Sequence, residues 1–263
     1  MNDNLTTEQI LCLQLLGYKA SAIIKADACF FNRVMSDNEA AEEALRKAEL
    51  LLDRQRRIGV RTLPFYHQDF PEELRKIGDE CPPLIHLKGN MELLGKKAVA
   101  VIGARQADRR GCGAAYKLGA GYGGKGWVVI SGLALGCDAA AHRGCIDAKG
   151  GTIAVVATGL DLTHPKENKP LQDMILSAGG LLMSEQAAGV KANPSRLVAR
   201  NRLQAAMSEK VIVAQCPEHS GTMHTVRFAL RYGKSVCAVR FDRRDALSSG
   251  NSYLLDTGLA LPV

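Results

Sequence analysis

Residues 98–111, AVAVIGARQADRRG, combine the pattern of a buried strand with side chains that suit phosphate binding. The apolar run ends at Gly103, and Arg105 stands where a dinucleotide fingerprint would have its second glycine. A guanidinium group holds a phosphate through two parallel hydrogen bonds. Backbone N–H groups at the start of a following helix favour an anion at the same place. The stretch therefore predicts an anion-binding turn between a strand and a helix.

Three further loops of small and polar residues follow apolar runs, at 131–136 (SGLALG), 158–161 (TGLD) and 219–222 (HSGT). If these runs are parallel strands, the loops share the edge of the sheet where ligands bind. Lys166, Arg200 and Arg202 would extend the positive surface of that edge. Several anion sites in a row suit the successive phosphates of a single-stranded nucleic acid. A helix-opening Ser-Gly-Thr is also typical of simple capping, so both interpretations stay open at this point.

Other ligands and reactions fit the sequence less well. The second apolar run ends in Ser131-Gly132 and lacks the acid that binds a ribose, so no dinucleotide site is predicted. A GxxxxGK[ST] loop is absent, and no catalytic triad or carboxylate pair indicates an enzyme. Eight scattered cysteines without a CxxC pair indicate reduced thiols, and no metal or cofactor is predicted. We interpret His142 as a packed or surface histidine and Asp138 as a helix cap.

The elements that position these loops alternate between strand and helix from residue 99 onward. Five apolar runs rich in Val and Ile predict strands: AVAVIG, GWVVISG, GTIAVVATG, EKVIVAQ and KSVCAVR. Continuous apolar runs suit strands that are covered by helices on both faces. The segments GAAYKLGAGYGGKG and GCDAAAHRGCIDA are predicted as helices between them. This order predicts an α/β fold with a doubly wound, mainly parallel sheet.

The first part of the chain is predicted to be a small helical domain, residues 1–58. Thr6 and Gln9 have the spacing of a capping box, and an apolar helix follows them. Asp37 or Asn38 is expected to cap a second helix, which Gly59 ends. Residues 60–90 are predicted as short strands broken by prolines. The main domain is therefore expected to cover residues 59–263.

Charge is distributed unevenly over the chain, whose formal net charge is +7. Residues 1–90 hold 12 Lys and Arg against 14 Asp and Glu, whereas residues 91–263 hold 22 against 13. Positive charge concentrated in the second segment favours a polyanionic partner for that segment. No apolar run is long enough to span a membrane, and the first residues do not read as a signal peptide. A cytoplasmic protein without a membrane partner is therefore expected.

Taken together, the loops resemble those of the DprA/Smf family, the bacterial DNA-processing proteins of natural transformation. The matching runs are VAVIGARQADRRG, VVISGLALGCDAAAHRGCIDAKGGTIAVVATGLDLTHPKEN, LLMSEQ, RNRLQAAMS and SGTMHTVRFALRYGKSVCAV. The resemblance covers about residues 60–260. It implies an extended Rossmann-like domain that binds and protects single-stranded DNA and helps to load RecA recombinase onto it, without turnover chemistry. It also implies a homodimer, and no winged-helix domain is expected within this sequence.

The resemblance assigns roles to individual residues. Arg105 corresponds to the arginine of the family's G-[ST]-R turn, and Lys166 would be a second phosphate contact. Ala104 and His164 depart from the family pattern, which has a hydroxyl residue and a tyrosine at these places. The predicted DNA-binding residues are Gly103, Arg105, Ser131, Gly132, Gly136, Lys166, Asn168, Arg200, Asn201, Arg202, Ser220, Gly221 and Thr222.

Two other functions stay open at the level of sequence. The chain resembles related Rossmann-like domains that bind small nucleotides, so a nucleotide-sensing module is the main alternative. The enzymatic members of that group have a PGGxGT-xx-E motif, whereas this chain has HSGTMHTV at the corresponding place. A third possibility is an adaptor that binds recombinase and has no affinity for DNA.

Overall fold

Four helices precede the first strand in a computed structural model that describes residues 4–243 and 245–263. They are α1 (Thr7–Leu15), α2 (Ala20–Ile24), α3 (Ala28–Met35) and α4 (Glu39–Arg57). Thr6 and Gln9 form the predicted capping box of α1. Asn38 caps α4 by accepting a hydrogen bond from the backbone of Ala41. Gly59 follows α4 with a φ of 76°, a conformation that favours glycine and ends the helix.

Within the described residues, nine strands form one sheet. They are β1 (Arg61–Pro64), β2 (Leu84–Gly89), β3 (Ala98–Ile102), β4 (Val128–Ser131), β5 (Thr152–Val155), β6 (Leu181–Ser184), β7 (Lys210–Val213), β8 (Ser235–Ala238) and β9 (Leu261–Pro262). Their order in the sheet is β1-β2-β6-β5-β4-β3-β7-β8-β9. Strand β2 pairs antiparallel with β1 and β6, and the other pairs are parallel. The predicted mainly parallel α/β fold is confirmed.

Helices cover both faces of this sheet, as the continuous apolar runs predict. They are α5 (Glu72–Arg75), α6 (Arg109–Gly123), α7 (Cys137–Asp147), α8 (Lys169–Ser177), α9 (Pro194–Ala206), α10 (Thr222–Arg231) and α11 (Ser249–Asp256). In β3, Val99 and Val101 pack with buried residues of α6 and α7. Ala100 and Ile102 of the same strand belong to the cluster that contains α9 and α10. Both faces of the strand are therefore buried, which explains its unbroken apolar sequence.

Three local features differ from the sequence prediction. Strand β6 lies between β5 and β2, although the pattern of Val- and Ile-rich runs did not predict it, because its sequence LLMS contains neither residue. Helix α6 begins earlier than expected, at Arg109, because Asp108 caps it. The prediction that Asp138 caps α7 is wrong, since Gly136 occupies the cap position. The Asp138 carboxylate instead accepts hydrogen bonds from the backbone of Gly132 and Ala134.

A buried glutamine joins the helical segment to the sheet. Gln55, near the end of α4, donates to the hydroxyl oxygen of Thr62 at 2.9 Å, and its amide nitrogen lies 3.0 Å from Nδ1 of His86. Its side-chain oxygen accepts the backbone N–H of Ala188 at 2.7 Å. Leu84 of β2 lies in the same apolar cluster as the buried residues of α1. The division at residue 58 stays a prediction, and the contacts that Gln55 and Leu84 make across it are buried.

Candidate anion-binding cleft

A cleft of about 580 Å³ lies beyond the carboxyl ends of β3 and β7, between α9 and the start of α10. It occupies the edge of a parallel sheet where ligands of this architecture bind. Leu197, Val198 and Leu247 contribute an apolar side to it. Seven of the residues predicted from the sequence line it: Gly103, Arg105, Arg200, Asn201, Ser220, Gly221 and Thr222.

The turn after β3 is fixed from behind by β7. The backbone N–H of Ala104 donates to the carbonyl oxygen of Gln215 at 2.8 Å. The side-chain oxygen of Gln215 accepts the backbone N–H of Asp108 at 3.0 Å. A side chain at Gly103 would not fit, because its Cβ would lie 2.5 Å from Sγ of Cys137. The turn therefore presents Arg105 from a rigid support.

Arg105 itself is exposed and has no internal partner. Its guanidinium group makes no hydrogen bond or ion pair with any residue in the described ranges 4–243 and 245–263. Arginines in folded proteins are commonly paired with carboxylates, and Arg110 nearby has two such partners, Asp108 and Asp245. The guanidinium group of Arg105 is therefore available to bind a ligand in the cleft.

Arg200 forms the inner wall of the cleft and is buried. Its Nη1 donates to the carbonyl oxygen of Gly132 at 2.7 Å and to that of Val155. Burial lowers the pKa of Arg200 to about 10; the nearby Asp138 opposes this shift, and Arg105 adds to it. Burial raises the pKa of the Asp138 carboxyl, and Arg200 opposes that shift. The three groups therefore lie close enough to influence one another.

The charges that line the cleft do not balance. Among its described lining residues, Arg105 and Arg200 are the cationic groups and Asp138 is the acidic one. The lining thus carries an excess of positive charge in a partly enclosed space, where electrostatic attraction is stronger than in water. Burial is the main cause of the lowered pKa of Arg200 and Arg105 contributes to it, so an anionic ligand between the two guanidinium groups would stabilise both charges.

The start of α10 adds hydrogen-bond donors on the opposite side. No side chain of the described residues caps this helix at Gly221, and the backbone N–H groups of Gly221 and Thr222 have no backbone acceptor there. Unpaired N–H groups at a helix start bind anions. Asn201 of α9 contacts this helix start, with its side-chain nitrogen 3.5 Å from the carbonyl oxygen of Gly221. Polar groups of α9 and α10 therefore meet at the cleft.

Three predicted residues shape the cleft from beneath without lining it. Ser131 is buried, and its hydroxyl donates to the carbonyl oxygen of Val101 at 2.7 Å. A Cβ at Gly132 would lie 2.3 Å from the guanidinium group of Arg200. Gly136 has a φ of +73°, and a Cβ there would lie 2.4 Å from the carbonyl oxygen of Ala104. These positions allow the β3 and β4 loops and α9 to approach closely.

Three other predicted residues lie outside the cleft. Asn168 is buried and donates to the carbonyl oxygen of Leu133 at 2.8 Å, so its amide group is occupied. Lys166 is exposed on the loop after β5, outside the cleft lining. Arg202 pairs with Glu185 at 2.5 Å and donates to the carbonyl oxygen of Glu80 at 2.8 Å. The expected joint surface of Arg200 and Arg202 is therefore not formed, because the two side chains leave α9 in different directions.

Sequence reasoning missed two parts of the cleft. Gln215, which holds the turn at Ala104 and Asp108, follows β7 directly; being the first polar residue after a buried strand, it could have been found. The apolar side formed by Leu197, Val198 and Leu247 has no comparable signal, because its members come from separate elements.

No group of three His, Cys, Asp or Glu side chains among the described residues is arranged to hold a metal ion. Over the same residues, none of the helices has the length and apolar character needed to span a membrane.

A doubly wound, mainly parallel sheet with a cationic cleft beyond its strand ends is typical of the Rossmann-like class of α/β proteins. The family model of DNA recombination-mediator protein A matches residues 61–263, and the chain belongs to this family. The resemblance to DprA/Smf proteins that the loop motifs indicate is thereby confirmed.

Individual relatives agree with this assignment. The chain is 38% identical over 192 residues to DNA processing protein DprA of Streptococcus pneumoniae, covering 73% of this chain and 67% of the relative. It is 34% identical over 218 residues to DprA of Bacillus subtilis, covering 82% of this chain and 73% of the relative. Each alignment therefore covers about two thirds or more of this chain and of the relative.

Solved structures give the same result for the fold. The X-ray structure of DprA from Streptococcus pneumoniae matches with a TM-score of 0.76 and 31% identity, covering 99% of this chain and 91% of the other. A structure addressing the single-stranded DNA binding mode of DNA processing protein A from Helicobacter pylori matches with a TM-score of 0.69. The latter is 29% identical and covers 77% of this chain and 90% of the other.

Proposed function

We propose that this protein binds single-stranded DNA in the cleft, with Arg105 holding a backbone phosphate. The observation that carries the proposal is the free, exposed guanidinium group of Arg105 beside a buried Arg200, with Asp138 as the acidic group of the described lining. The uncapped start of α10 offers N–H groups to the same or the next phosphate. The relative from Helicobacter pylori binds single-stranded DNA, which supports the same ligand class for this chain.

The cleft residues divide into contacts and supports under this proposal. Arg105, Asn201, Gly221 and Thr222 face the strand, whereas Arg200 supports the wall behind it. Lys166 is proposed as a contact at the rim, since it is exposed and near the same sheet edge. Three further predicted residues, Ser131, Asn168 and Arg202, act by holding the loops and α9 in place.

Family membership supports a proposal for the biological role. We propose that the protein protects incoming single-stranded DNA in the cytoplasm and helps to load RecA recombinase onto it during natural transformation and recombination, without catalysing a reaction. A homodimer is the expected form. Co-sedimentation of purified RecA with the protein on an oligonucleotide tests the partner, and sedimentation equilibrium tests the dimer. RecA that stays in the supernatant, or a particle with the mass of one chain, would contradict the respective proposal.

The direct test is fluorescence anisotropy of labelled dT20 with wild type, Arg105→Ala and Arg33→Ala. Arg33 is an exposed arginine of α3, outside the cleft, and serves as the matched control. Loss of one charge-assisted phosphate contact is expected to weaken binding roughly tenfold and to reduce the salt slope by about 0.7. The control should leave both quantities unchanged. Equal affinities and equal slopes for all three proteins would contradict the assignment of Arg105.

A nucleotide-sensing module is the second candidate. The cleft volume of about 580 Å³ and the apolar side of Leu197 and Val198 would fit one nucleotide. Titration of the same complex with mononucleotides separates the two functions. Displacement of dT20 by a mononucleotide at micromolar concentration would favour nucleotide sensing, whereas displacement only by other single strands supports DNA binding.

A further inference from the structure

The solvent-facing side of α6 carries basic side chains and no acidic ones. Arg109 and Lys117 of α6 and Lys125 just after it follow one another at intervals of eight residues. Since a helix rises 1.5 Å per residue and has 3.6 residues per turn, Arg109 and Lys117 are about 12 Å apart along the axis and about 80° apart around it; Lys125 lies just beyond the last turn. The opposite side of the helix is buried and consists of Gly111, Ala115, Gly119 and Gly123. We call the row of Arg109, Gly113, Lys117, Gly121 and Lys125, in which Gly113 is half-buried and the others are exposed, the basic face of α6.

The three cations of this face have no partners within the protein. Arg109, Lys117 and Lys125 are exposed, and none of them makes an ion pair or hydrogen bond with another described residue. Three carboxylates border the helix, and each is engaged by another side chain; Asp245 binds Arg110. Asp108 binds Arg110, and Asp147 accepts the hydroxyl of Tyr116 at 2.8 Å. The basic face therefore has uncompensated positive charge along its length.

Two glycines lie between these cations in open space. A Cβ at Gly113 or Gly121 would meet no atom within 4 Å, whereas a Cβ at Gly119 would lie 2.1 Å from the carbonyl oxygen of Ala141. Packing within the chain therefore explains Gly119 but neither Gly113 nor Gly121. Glycine within a helix costs about 1 kcal/mol relative to alanine. Close approach of an extended external chain to the helix would account for small residues at these two positions.

The basic face connects the cleft to a cluster of rings and lysines. At one end Arg109 follows the turn that bears Arg105. At the other end Tyr122 and Trp127 are in edge contact, with their ring centroids 5.6 Å apart. Nζ of Lys210 lies 5.7 Å from the ring of Tyr122 and 5.6 Å from that of Trp127, and Nζ of Lys97 lies 5.8 Å from Trp127. Aromatic rings beside cations are a typical platform for unpaired bases.

We infer that single-stranded DNA continues from the cleft along the basic face of α6 and ends at Trp127. The inference rests on the proposed function and extends it, because it names a second segment of the binding path. Free cations along α6 and just beyond its end suit the successive phosphates of one strand, and the aromatic pair at the end matches an unstacked base. The path along α6 is about 22 Å long for the 15 residues of the helix. A long oligonucleotide therefore makes contacts that a short one cannot reach.

The test compares dT6 with dT20 on wild type and on two double variants. Lys117→Gln with Lys125→Gln removes two charges of the basic face. Lys19→Gln with Lys47→Gln removes two exposed lysines from the helical segment, as a matched control. For dT20 the first variant is expected to lower the salt slope by about 1.4, which is two contacts of about 0.7 each. Between 50 and 200 mM salt, wild type then loses roughly sevenfold more affinity than this variant. Binding of dT6 stays as in wild type.

The possible results separate this inference from the proposed function. If wild type binds dT6 and dT20 with the same affinity, or if both double variants behave alike, the path along α6 is refuted and the cleft remains. Equal losses for dT6 and dT20 in the α6 variant also refute the path, because the lysines then act on the cleft. A change from dimer to monomer in the same variant would show that the face binds a second copy instead. Absence of both dT6 and dT20 binding in wild type refutes the proposed function itself.

Discussion

Replacement of Arg200 by methionine tests whether this residue stabilises the fold around the cleft instead of contacting a ligand. Arg200 donates to the carbonyl oxygens of Gly132 and Val155, and it is the cation nearest to the buried Asp138. In Arg200→Met both carbonyl groups lose a charged donor, while Asp138 remains buried. Hydrogen bonds to charged groups contribute about 1.5–3 kcal/mol each, and desolvation of the guanidinium group offsets part of this. We therefore expect a loss of about 3 kcal/mol in the free energy of unfolding.

This loss can be measured as a shift of the thermal midpoint. For a chain of this size a change of 1 kcal/mol corresponds to about 2–4 °C, so we expect a decrease of about 6–12 °C. Differential scanning fluorimetry of Arg200→Met, Arg105→Ala and Arg196→Met checks it. Arg196 lies on the same helix and makes one exposed hydrogen bond, to the carbonyl oxygen of Lys191 at 3.0 Å. Arg196→Met and Arg105→Ala are expected to remain close to wild type.

The dependence of the Arg200→Met effect on pH gives a second check. Removal of Arg200 raises the pKa of Asp138 further, because it removes the cation that opposes the effect of burial. A carboxyl group with a raised pKa in the folded state destabilises the fold as pH rises from its unfolded pKa through its folded pKa. The deficit of the variant relative to wild type should therefore be smaller at pH 5 than at pH 8. Equal midpoints for Arg200→Met and Arg196→Met, or a deficit that grows towards low pH, would refute this reasoning.

Two further predictions concern stability. Gly121→Ala is expected to raise the free energy of unfolding by about 0.5–1 kcal/mol, because the position is helical and open; an unchanged or lower urea midpoint would contradict this. Burial lowers the pKa of His86 to about 4 and that of His142 to about 3, from an ordinary value near 6.5. Because the folded-state pKa is lowered, the stability that depends on the neutral rings is complete above about pH 6.5 and decreases as pH falls towards 4. His86→Gln should flatten this decrease in urea titrations between pH 7 and 4, and an identical slope for the variant and wild type would count against it.

The structure also shows how neighbouring positions in one motif differ in role. Arg200 and Arg202 are two residues apart on α9, and side chains at this spacing do not face the same way. Arg200 turns towards the sheet and the cleft, whereas Arg202 turns towards Glu185 and Glu80. Helical geometry alone predicts that they diverge. It cannot tell which of them meets the cleft, because the rotation of α9 is set by how its apolar residues pack.

The sequence by itself determined the class of fold and the place of Arg105. Continuous Val- and Ile-rich runs require strands that are buried on both faces, and the turn after Gly103 must then lie at the ligand edge of a parallel sheet. Both conclusions depend only on local pattern and on the direction of the strands. The capping residues Thr6 and Asn38 were predictable for the same reason, because a cap acts over three residues.

Only the tertiary structure decided which polar residues are free and which are occupied. Ser131, Asn168 and Arg202 have suitable chemistry for a ligand, yet each is bound to a group far away in the chain. Asp138 faces the β4 loop and Arg200 for the same reason, and it does not cap its own helix. Hydrogen bonds between distant segments depend on the tertiary packing of helices and loops. Local sequence patterns do not specify that packing. Arg105 stays free because the fold brings no carboxylate of the described residues within reach of its guanidinium group.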